Sequence, residues 1–238
     1  MKAAPLVVIR AEPGNAATCG AARDLGLEIY GEPLFKIVAT RWEPPPAEQF
    51  DAVLIGSANA LRHGGDTLAS YAAIPAYVVG ETTAQVARDA GFVVAVAGSG
   101  GLQDLTGHLA DDGRKRVLRL TGAEHVALSA AGTTIVTVVI YEARTLPVPR
   151  ACARLLTKGA VVMLHSAAAA RHFAAECRRA NISPAAIALA CLGPRIASAA
   201  GVGWASVASA ERPDDAALLV LAARMCQTTH FGDTDDKN

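Results

Sequence analysis

The sequence lacks an excess of charge of either sign. Its 238 residues include 22 lysines and arginines and 22 aspartates and glutamates, so the formal net charge is zero. Proteins that bind nucleic acid or anionic membranes usually carry a basic excess or a basic stripe. The balance therefore argues against both kinds of partner, while a small anionic ligand could still be held by a few local arginines.

Cysteine and histidine are scarce and scattered. The odd number of cysteines and their wide spacing argue against a disulfide framework, a zinc site and a redox motif. The histidines form no metal-ligand spacing either, and we expect His165 and His172, which flank a predicted helix start, to be surface or packing residues. We therefore expect no metal site. The cysteines are Cys19, Cys152, Cys177, Cys191 and Cys226.

Long apolar runs and several functional motifs are also missing. No apolar stretch free of charge and glycine approaches about 18 residues, the length that spans a membrane, and residues 6–9 indicate a strand rather than a signal peptide. The Gly-Ser-Gly-Gly run at 98–101 lacks the phosphate-loop and dinucleotide patterns. Ser57 and Ser166 lie in no G-x-S-x-G elbow, which argues against a serine-hydrolase triad. We expect a soluble, cytoplasmic protein.

What the sequence does contain is one pattern that occurs twice. The apolar run 50–60 stops at Ser57 and passes into an alanine-containing segment, and the run 159–169 does the same at Ser166. The next unit repeats as well, with Gly80 and Gly193 each following a short apolar run. The serines are 109 positions apart and the glycines 113. This repeat predicts two similar domains.

Short strands alternate with helices throughout, which predicts an α/β fold with parallel sheets flanked by helices. The proline-marked stretches 41–49 and 145–150 are the natural domain crossings. The first domain would then be discontinuous, formed by residues 1–38 and 145–238, with residues 39–144 inserted as the second. We expect a two-stranded linker, with the cleft between the domains as the site. The polar residues 227–238 are expected to form a frayed tail.

Candidate binding residues follow from one rule, that open parallel sheets bind ligands beyond the carboxyl ends of their strands. After Gly80, the hydroxyls of Thr82 and Thr83 could cap a helix whose free N–H groups bind carboxylate or phosphate. Taken singly, a serine, threonine or glycine at a helix start is more often an ordinary N-cap than a ligand-binding residue. The candidates are Arg10, Ser57, Gly80, Thr82, Thr83, Gly101, Thr121, Gly122, Ser166, Gly193, Arg195 and Ile196.

Tyr141 is singled out because it ends the longest β-branched run, 135–141, which predicts a long strand that stops just before the second crossing. A tyrosine there could face the cleft and donate a proton. It could equally be a strand aromatic packed between the domains, and the residues alone leave both interpretations open.

Taken in order, these segments resemble the uroporphyrinogen-III synthase family over nearly the whole chain. The resemblance includes Val-Ile-Arg-Ala-Glu-Pro at 8–13, Val-Gly-Glu-Thr-Thr-Ala at 79–84, and Val-Val-Ile-Tyr ending at Tyr141. The segments that carry it are 8–13, 53–60, 79–84, 90–92, 117–122, 138–141, 164–167, 192–195 and 210–214.

The resemblance implies a reaction and a substrate. Members of the family close hydroxymethylbilane, a linear tetrapyrrole with eight carboxylates, to uroporphyrinogen III without a cofactor. Water is lost and ring D is inverted through a spiro intermediate. Tyr141 matches the recurrent tyrosine of the family, which is its candidate proton donor to the leaving hydroxyl. Helix N-termini and scattered arginines would bind the carboxylates.

Two departures and several alternatives accompany the resemblance. Arg195-Ile196 stands where several members have hydroxyl residues, and Gly56-Ser57 stands where members often have Thr-Ser. A synthase fold with little activity therefore stays open, as does a non-catalytic two-domain protein that binds a small anion or a tetrapyrrole. The missing glycine fingerprint argues against a Rossmann-type dehydrogenase or methyltransferase. A monomer is expected, and a transient contact with the preceding pathway enzyme stays open.

Overall fold

A computed structural model describes residues 3–229 of the chain. Within this range there are eleven strands, eight α-helices and three short 3-10 helices. The strands are β1 (Leu6–Val8), β2 (Ile29–Gly31), β3 (Phe35–Ala39), β4 (Ala52–Ile55), β5 (Ala76–Val79), β6 (Val94–Gly98), β7 (Arg116–Gly122), β8 (Thr134–Thr145), β9 (Ala160–Leu164), β10 (Ile187–Cys191) and β11 (Ser206–Ser209). The α-helices are α1 (Gly14–Asp24), α2 (Ala58–His63), α3 (Glu81–Asp89), α4 (Leu102–Asp111), α5 (Arg150–Thr157), α6 (Ala167–Arg179), α7 (Pro194–Ala200) and α8 (Asp215–Thr228). Residues 230–238, most of the predicted tail, lie outside the described range.

The chain forms two compact units, and the second is inserted into the first. The first unit comprises the chain up to Lys36 and from Thr145 onward, and the second comprises Ile37–Arg144. The sequence-based boundaries were 38/39 and 144/145. Each unit has its own sheet and its own buried core on both faces of that sheet.

Two neighbouring strands, β3 and β8, carry the chain from one unit to the other and back. The amide of Thr40 donates to the carbonyl of Ile140 at 3.1 Å, and the amide of Leu146 donates to the carbonyl of Leu34 at 2.8 Å. This pairing runs antiparallel and forms the two-stranded linker. The prediction that the long strand ends at Tyr141 was wrong, because β8 continues four residues further alongside β3.

The sheet of the first unit is parallel, with the strand order β2-β1-β9-β10-β11. Every residue of β9 and β10 is buried, as expected for strands covered on both faces. Alternate β9 residues enter different cores: Val161 packs with α1 and α8, whereas Val162 packs with α5, α6 and α7. The chain therefore leaves β1 and β9 toward opposite faces, and the topological switch point lies between these two strands.

The sheet of the second unit has the order β3-β8-β7-β4-β5-β6, and the strands from β8 to β6 are parallel. Val53 and Ile55 pack with α2 and α3 on one face, while Ala52 and Leu54 pack with α4 on the other. Its switch point lies between β4 and β7. The antiparallel linker strand β3 is the reason that this sheet is mixed, where the sequence predicted a purely parallel one.

The sequence repeat corresponds to a structural repeat. Strands β4 and β9 occupy the same place in their sheets, and each is followed by a helix whose N-cap is the repeated serine, Ser57 or Ser166. Two further parallel strands extend outward on the same side, β5-β6 and β10-β11. The other two parallel strands of each sheet come after these three in the sequence of the second unit (β7 and β8) but before them in the first (β1 and β2). The two α/β domains are similar, as predicted, and related by a permutation of the chain.

Three general features bear on the chemistry that this fold can support. The five cysteines are buried and form no disulfide, and burial raises the pKa of the Cys177 thiol to about 12 and that of Cys152 and Cys191 to about 11. In residues 3–229, no three His, Cys, Asp or Glu side chains are grouped so as to hold a metal ion. Over the same residues, no helix is both long and apolar enough to cross a membrane.

Candidate functional site

The first unit brings four of the predicted residues together around one cavity. Ser166 is the N-cap of α6, and its hydroxyl oxygen accepts a hydrogen bond from the amide of Ala169 at 3.0 Å. Gly193 is the N-cap of α7, where Arg195 is exposed and Ile196 packs partly against the core. The cavity has a volume of about 500 Å³. It is lined by His165, Ser166, Ala167, Leu192, Gly193, Arg195, Ile196 and Pro213.

Arg10, predicted to bind the ligand, follows β1 and already has a partner within the protein. Its Nη1 lies 2.5 Å from Oδ2 of Asp215, which is in the first turn of α8. The guanidinium also passes over Gly14, where an added Cβ would lie 2.5 Å from Nε. Arg10 is therefore held in place and compensated in charge.

His165 was missed by sequence reasoning, which treated it as a surface or packing residue. Its side chain is 9% exposed, and neither ring nitrogen has a hydrogen-bond partner. Nε2 lies 3.6 Å from Oδ1 of Asp215, which is too long for a hydrogen bond but close enough for a strong electrostatic effect. Burial lowers the pKa of His165 to about 4, the Arg10 guanidinium acts in the same direction, and the Asp215 carboxylate opposes both. Ser166 was selected by the rule that ligands bind beyond the carboxyl ends of parallel strands. The same rule would have selected His165, because it immediately follows β9.

His172, predicted together with His165, is a packing residue as expected. Its Nε2 lies 2.8 Å from the carbonyl oxygen of Leu146, and its ring meets Phe35 edge to face.

In the second unit, the predicted residues lie at the carboxyl ends of four parallel strands. Ser57 is the N-cap of α2, and its hydroxyl accepts a hydrogen bond from the amide of Asn59 at 3.2 Å. Gly80 and Gly101 precede α3 and α4 with φ values of 77° and 100°. Such positive φ angles favour glycine, because a side chain is strained there. Thr121 lies at the end of β7.

The predicted capping role of Thr82 and Thr83 was wrong. Helix α3 begins at Glu81 and Gly80 is its N-cap, so no side chain caps this helix. Both threonines consequently lie within the first helical turn, with Thr83 buried against the core and Thr82 exposed. Of the two threonines, only Thr82 is therefore at the protein surface.

Tyr141 lies against Gly122 at the end of β7. The two residues are paired across a β-bulge, and the amide of Ala123 donates to the carbonyl of Tyr141 at 2.9 Å. A Cβ added at Gly122 would lie 2.6 Å from Cε2 of the Tyr141 ring, so the ring occupies the space that only glycine leaves free. The ring is half-buried, and its centroid lies 6.5 Å from that of His63.

Comparison with known proteins identifies the family. The model of the family described as "Uroporphyrinogen-III synthase HemD" matches residues 17–220, which is most of the chain. The chain belongs to the uroporphyrinogen-III synthase family. It is therefore an enzyme, a hydro-lyase of porphyrin and haem biosynthesis with a tetrapyrrole substrate, and nothing in the match supports the non-catalytic alternative. Compared with curated protein sequences, the chain has no match.

Solved structures of uroporphyrinogen-III synthases share the fold. The enzyme of Helicobacter pylori 26695 has a TM-score of 0.63 and 20% identity, covering 94% of this chain and 100% of its own. A mutant enzyme of the extremely thermophilic bacterium Thermus thermophilus has a TM-score of 0.51 and 16% identity, covering 94% of this chain and 98% of its own. At such low identity these synthases support the fold alone.

Proposed function

We propose that this synthase binds the carboxylates of hydroxymethylbilane at the carboxyl edges of its sheets and closes the bilane to uroporphyrinogen III. The observation that carries the proposal is the set of helix starts at those edges, following β4, β5, β6, β9 and β10. Helix N-termini present free N–H groups and a partial positive charge to an anion. A chain with zero net charge can therefore hold a substrate with many carboxylates.

The predicted residues take roles that follow from their positions. Ser57, Ser166, Gly80, Gly101 and Gly193 shape the helix starts. Arg195 and Thr82 are exposed and Thr121 is partly exposed, and we assign to these three side chains direct contact with the ligand. Gly122 is buried, and its assigned role is to leave space for the Tyr141 ring. Arg195 can bind a carboxylate where a hydroxyl residue of the family is missing. Arg10 holds Asp215 in an ion pair instead of contacting the ligand itself. Ile196 forms part of the cavity wall, and the buried Thr83 packs α3 against the core.

Tyr141 is the proposed proton donor. A phenol carries its proton at neutral pH and can give it to the hydroxyl that leaves as water. The packing of its ring against Gly122 supports this role, because a fixed ring can hold its oxygen at one position. We expect the acid effect to be about 10²-fold, with the rest of the acceleration coming from the orientation of the bilane ends.

The proposed reaction proceeds without a metal or cofactor. Loss of the hydroxymethyl oxygen as water leaves an azafulvene, which ring D attacks at its substituted carbon to form a spiro intermediate. This intermediate fragments and recloses with ring D inverted. We further propose that the enzyme works as a cytoplasmic monomer without nucleic-acid or membrane partners. A transient contact with the preceding pathway enzyme would shorten the lifetime of free bilane.

Product isomer analysis tests the proposal. The purified protein is incubated with freshly prepared hydroxymethylbilane, and the oxidised products are separated by isomer. We expect uroporphyrin III well above the type I product that forms spontaneously, and about 10²-fold less of this activity in Tyr141→Phe. Type I product alone, at the rate seen without protein, would contradict the synthase activity. Unchanged activity in Tyr141→Phe would contradict only the role of Tyr141 as proton donor and would leave the synthase activity standing.

A further inference from the structure

Arg119 is a charged residue in the interior of the second unit. It belongs to β7, where Leu118 and Leu120 pack with α2 and α3, while Val117 packs with α4 on the other face. Since successive side chains of a strand point to opposite faces, Arg119 lies on the α4 face. The residue is only 2% exposed. A cation is therefore enclosed against a core that consists mainly of apolar side chains.

No carboxylate compensates this buried charge. Within residues 3–229, Arg119 takes part in no ion pair, and burial alone lowers the pKa of its guanidinium. Glu124, the nearest acidic residue in the sequence, is exposed and forms no ion pair with it. A buried charge without a counterion is costly, and an apolar residue at such a position usually preserves or improves stability. The presence of an arginine here therefore indicates an anion that binds to it.

The hydrogen bonds of the guanidinium leave one of its edges without a partner. Nη1 donates to the carbonyl of Val126 at 2.8 Å, which holds the group in one orientation. Nε is buried and has no partner. Nη2 also makes no hydrogen bond with residues 3–229, but it is not enclosed as Nε is, so it reaches the surface. Nε and Nη2 together are a fork that suits a carboxylate, which can accept two parallel hydrogen bonds.

This edge is covered by the segment that joins β7 to β8, residues 123–133, which we call the strap. Parallel strands are usually joined by a helix, but the strap contains none. It is attached to the α4 face through the carbonyl of Val126 and through Leu128, which packs partly against the core. Residues 123–127 are all exposed. A segment with so few buried contacts can shift locally and admit a ligand group beside Nε.

The strap and Arg119 are close to the proposed proton donor. Strand β7 ends three residues after Arg119 at Gly122, against which the Tyr141 ring packs. The strap begins at Ala123, whose amide donates to the carbonyl of Tyr141 at 2.9 Å. This end of β7 also flanks the switch point between β4 and β7, where an open parallel sheet binds its ligand. A group bound by Arg119 would therefore be held near Tyr141.

We propose that Arg119 is a substrate-binding residue whose Nε and Nη2 bind one carboxylate arm of the substrate beneath the strap. Nη2 makes the first contact, and a shift of the strap admits the carboxylate to Nε, while Nη1 keeps its bond to Val126. The bound carboxylate supplies the counterion of the guanidinium and anchors the substrate near Tyr141. This inference rests on the proposed function for the identity of the substrate, but its chemistry requires only a carboxylate.

Substitutions at Arg119 separate ligand binding from a structural role. Arg119→Met removes the charge and keeps a long side chain, whereas Arg119→Lys keeps the charge without the fork. We expect KM for hydroxymethylbilane to rise about tenfold in the Met variant and less in the Lys variant, with kcat changed less than about twofold. The melting temperature of the Met variant should equal or exceed that of the wild type, because a buried unpaired charge is removed. Arg116→Met, at an exposed site at the opposite end of β7, is the control with unchanged KM.

A binding experiment without turnover completes the test. The Nε–H signal of Arg119 in the NMR spectrum, assigned by its loss in Arg119→Lys, is followed as succinate is added, with succinamide at matched ionic strength as the uncharged control. We expect a saturable shift with succinate only. A signal that succinate leaves unmoved, or an unchanged KM in Arg119→Met, would overturn the carboxylate site while uroporphyrin III formation still stood. A shift with succinate in a protein that makes no type III product would retain the site and reject the proposed reaction.

Discussion

The neutral, buried imidazole of His165 has a consequence for stability that is independent of any ligand. Its pKa falls from an ordinary value of 6.5 to about 4, chiefly through burial, so between these values the unfolded chain binds a proton that the folded protein does not. Stability that is present above pH 6.5 is therefore lost as the pH falls toward 4. Integrated between pH 7 and pH 5, the loss is about 2 kcal/mol.

Urea unfolding of the wild type and His165→Leu at these two pH values measures this effect. The wild type should lose about 2 kcal/mol more free energy of unfolding than the Leu variant between pH 7 and pH 5. Other titrating groups contribute equally to both proteins and cancel in the difference. If the free energy of unfolding changed equally with pH in the two proteins, the His165 ring would take up its proton over the same pH range in the folded protein as in the unfolded chain.

The contact between Gly122 and Tyr141 makes a second prediction at the level of single residues. In Gly122→Ala, the new Cβ would lie 2.6 Å from the tyrosine ring, so the ring must move. We expect a destabilisation of about 1–3 kcal/mol and a loss of type III activity comparable to that of Tyr141→Phe. Gly107→Ala is the matched control, because this glycine lies in the interior of α4 with no atom within 4 Å of its added Cβ, and it should stabilise by about 0.5–1 kcal/mol. Normal activity in Gly122→Ala would show that the position of the Tyr141 ring does not affect catalysis.

At the scale of the element, most of the strands and helices can be predicted from the sequence, but few of the contacts within the site can. The runs 160–164 and 187–191 are apolar throughout because both of their faces are covered, and this pattern is visible in the sequence. The helix starts after Ser57 and Ser166 are equally local features. The contact of His165 with Asp215, by contrast, joins α8 to the end of β9 across 50 positions, and no local pattern encodes it.

The errors at the element scale have the same origin. Thr82 and Thr83 have the composition of a cap, but the positive φ of Gly80 sets the helix start one residue before them. The end of β8 was placed at Tyr141 because the β-branched run ends there, whereas pairing with β3 extends the strand. In both cases a backbone constraint outweighed side-chain preference.

The N-cap of α6 gives a prediction in which stability and binding change in opposite directions. Ser166→Ala removes the acceptor for the amide of Ala169 and should destabilise the fold by about 1 kcal/mol. Ser166→Asp keeps a good cap and so keeps stability, but it places a negative charge at the helix start where a substrate carboxylate is proposed to bind. Urea unfolding and KM for hydroxymethylbilane should therefore rank the two variants differently, with the higher KM in Ser166→Asp. Equal KM values for the two variants would argue against an anion at this helix start.

At the scale of the whole molecule, the permuted relation of the two units explains how one chain can build the same sheet twice. In the inserted unit all parallel strands are contiguous in sequence, and they enclose two cores of their own. In the first unit, the pair β1-β2 is separated from β9-β10-β11 by the insertion. The linker strands close this gap, since the amide of Leu146 lies 2.8 Å from the carbonyl of Leu34.

This closeness predicts that the first unit folds without the insertion. Because β3 and β8 are antiparallel neighbours, a short Asn-Gly hairpin loop can join Lys36 to Thr145 in place of residues 37–144. The shortened chain should unfold cooperatively in urea with a smaller m-value than the full chain, in proportion to the surface it buries. Type III product should be absent, since Tyr141 and the helix starts of the second unit are removed. A shortened chain that unfolds without a cooperative transition would show that the first unit depends on the second for its stability.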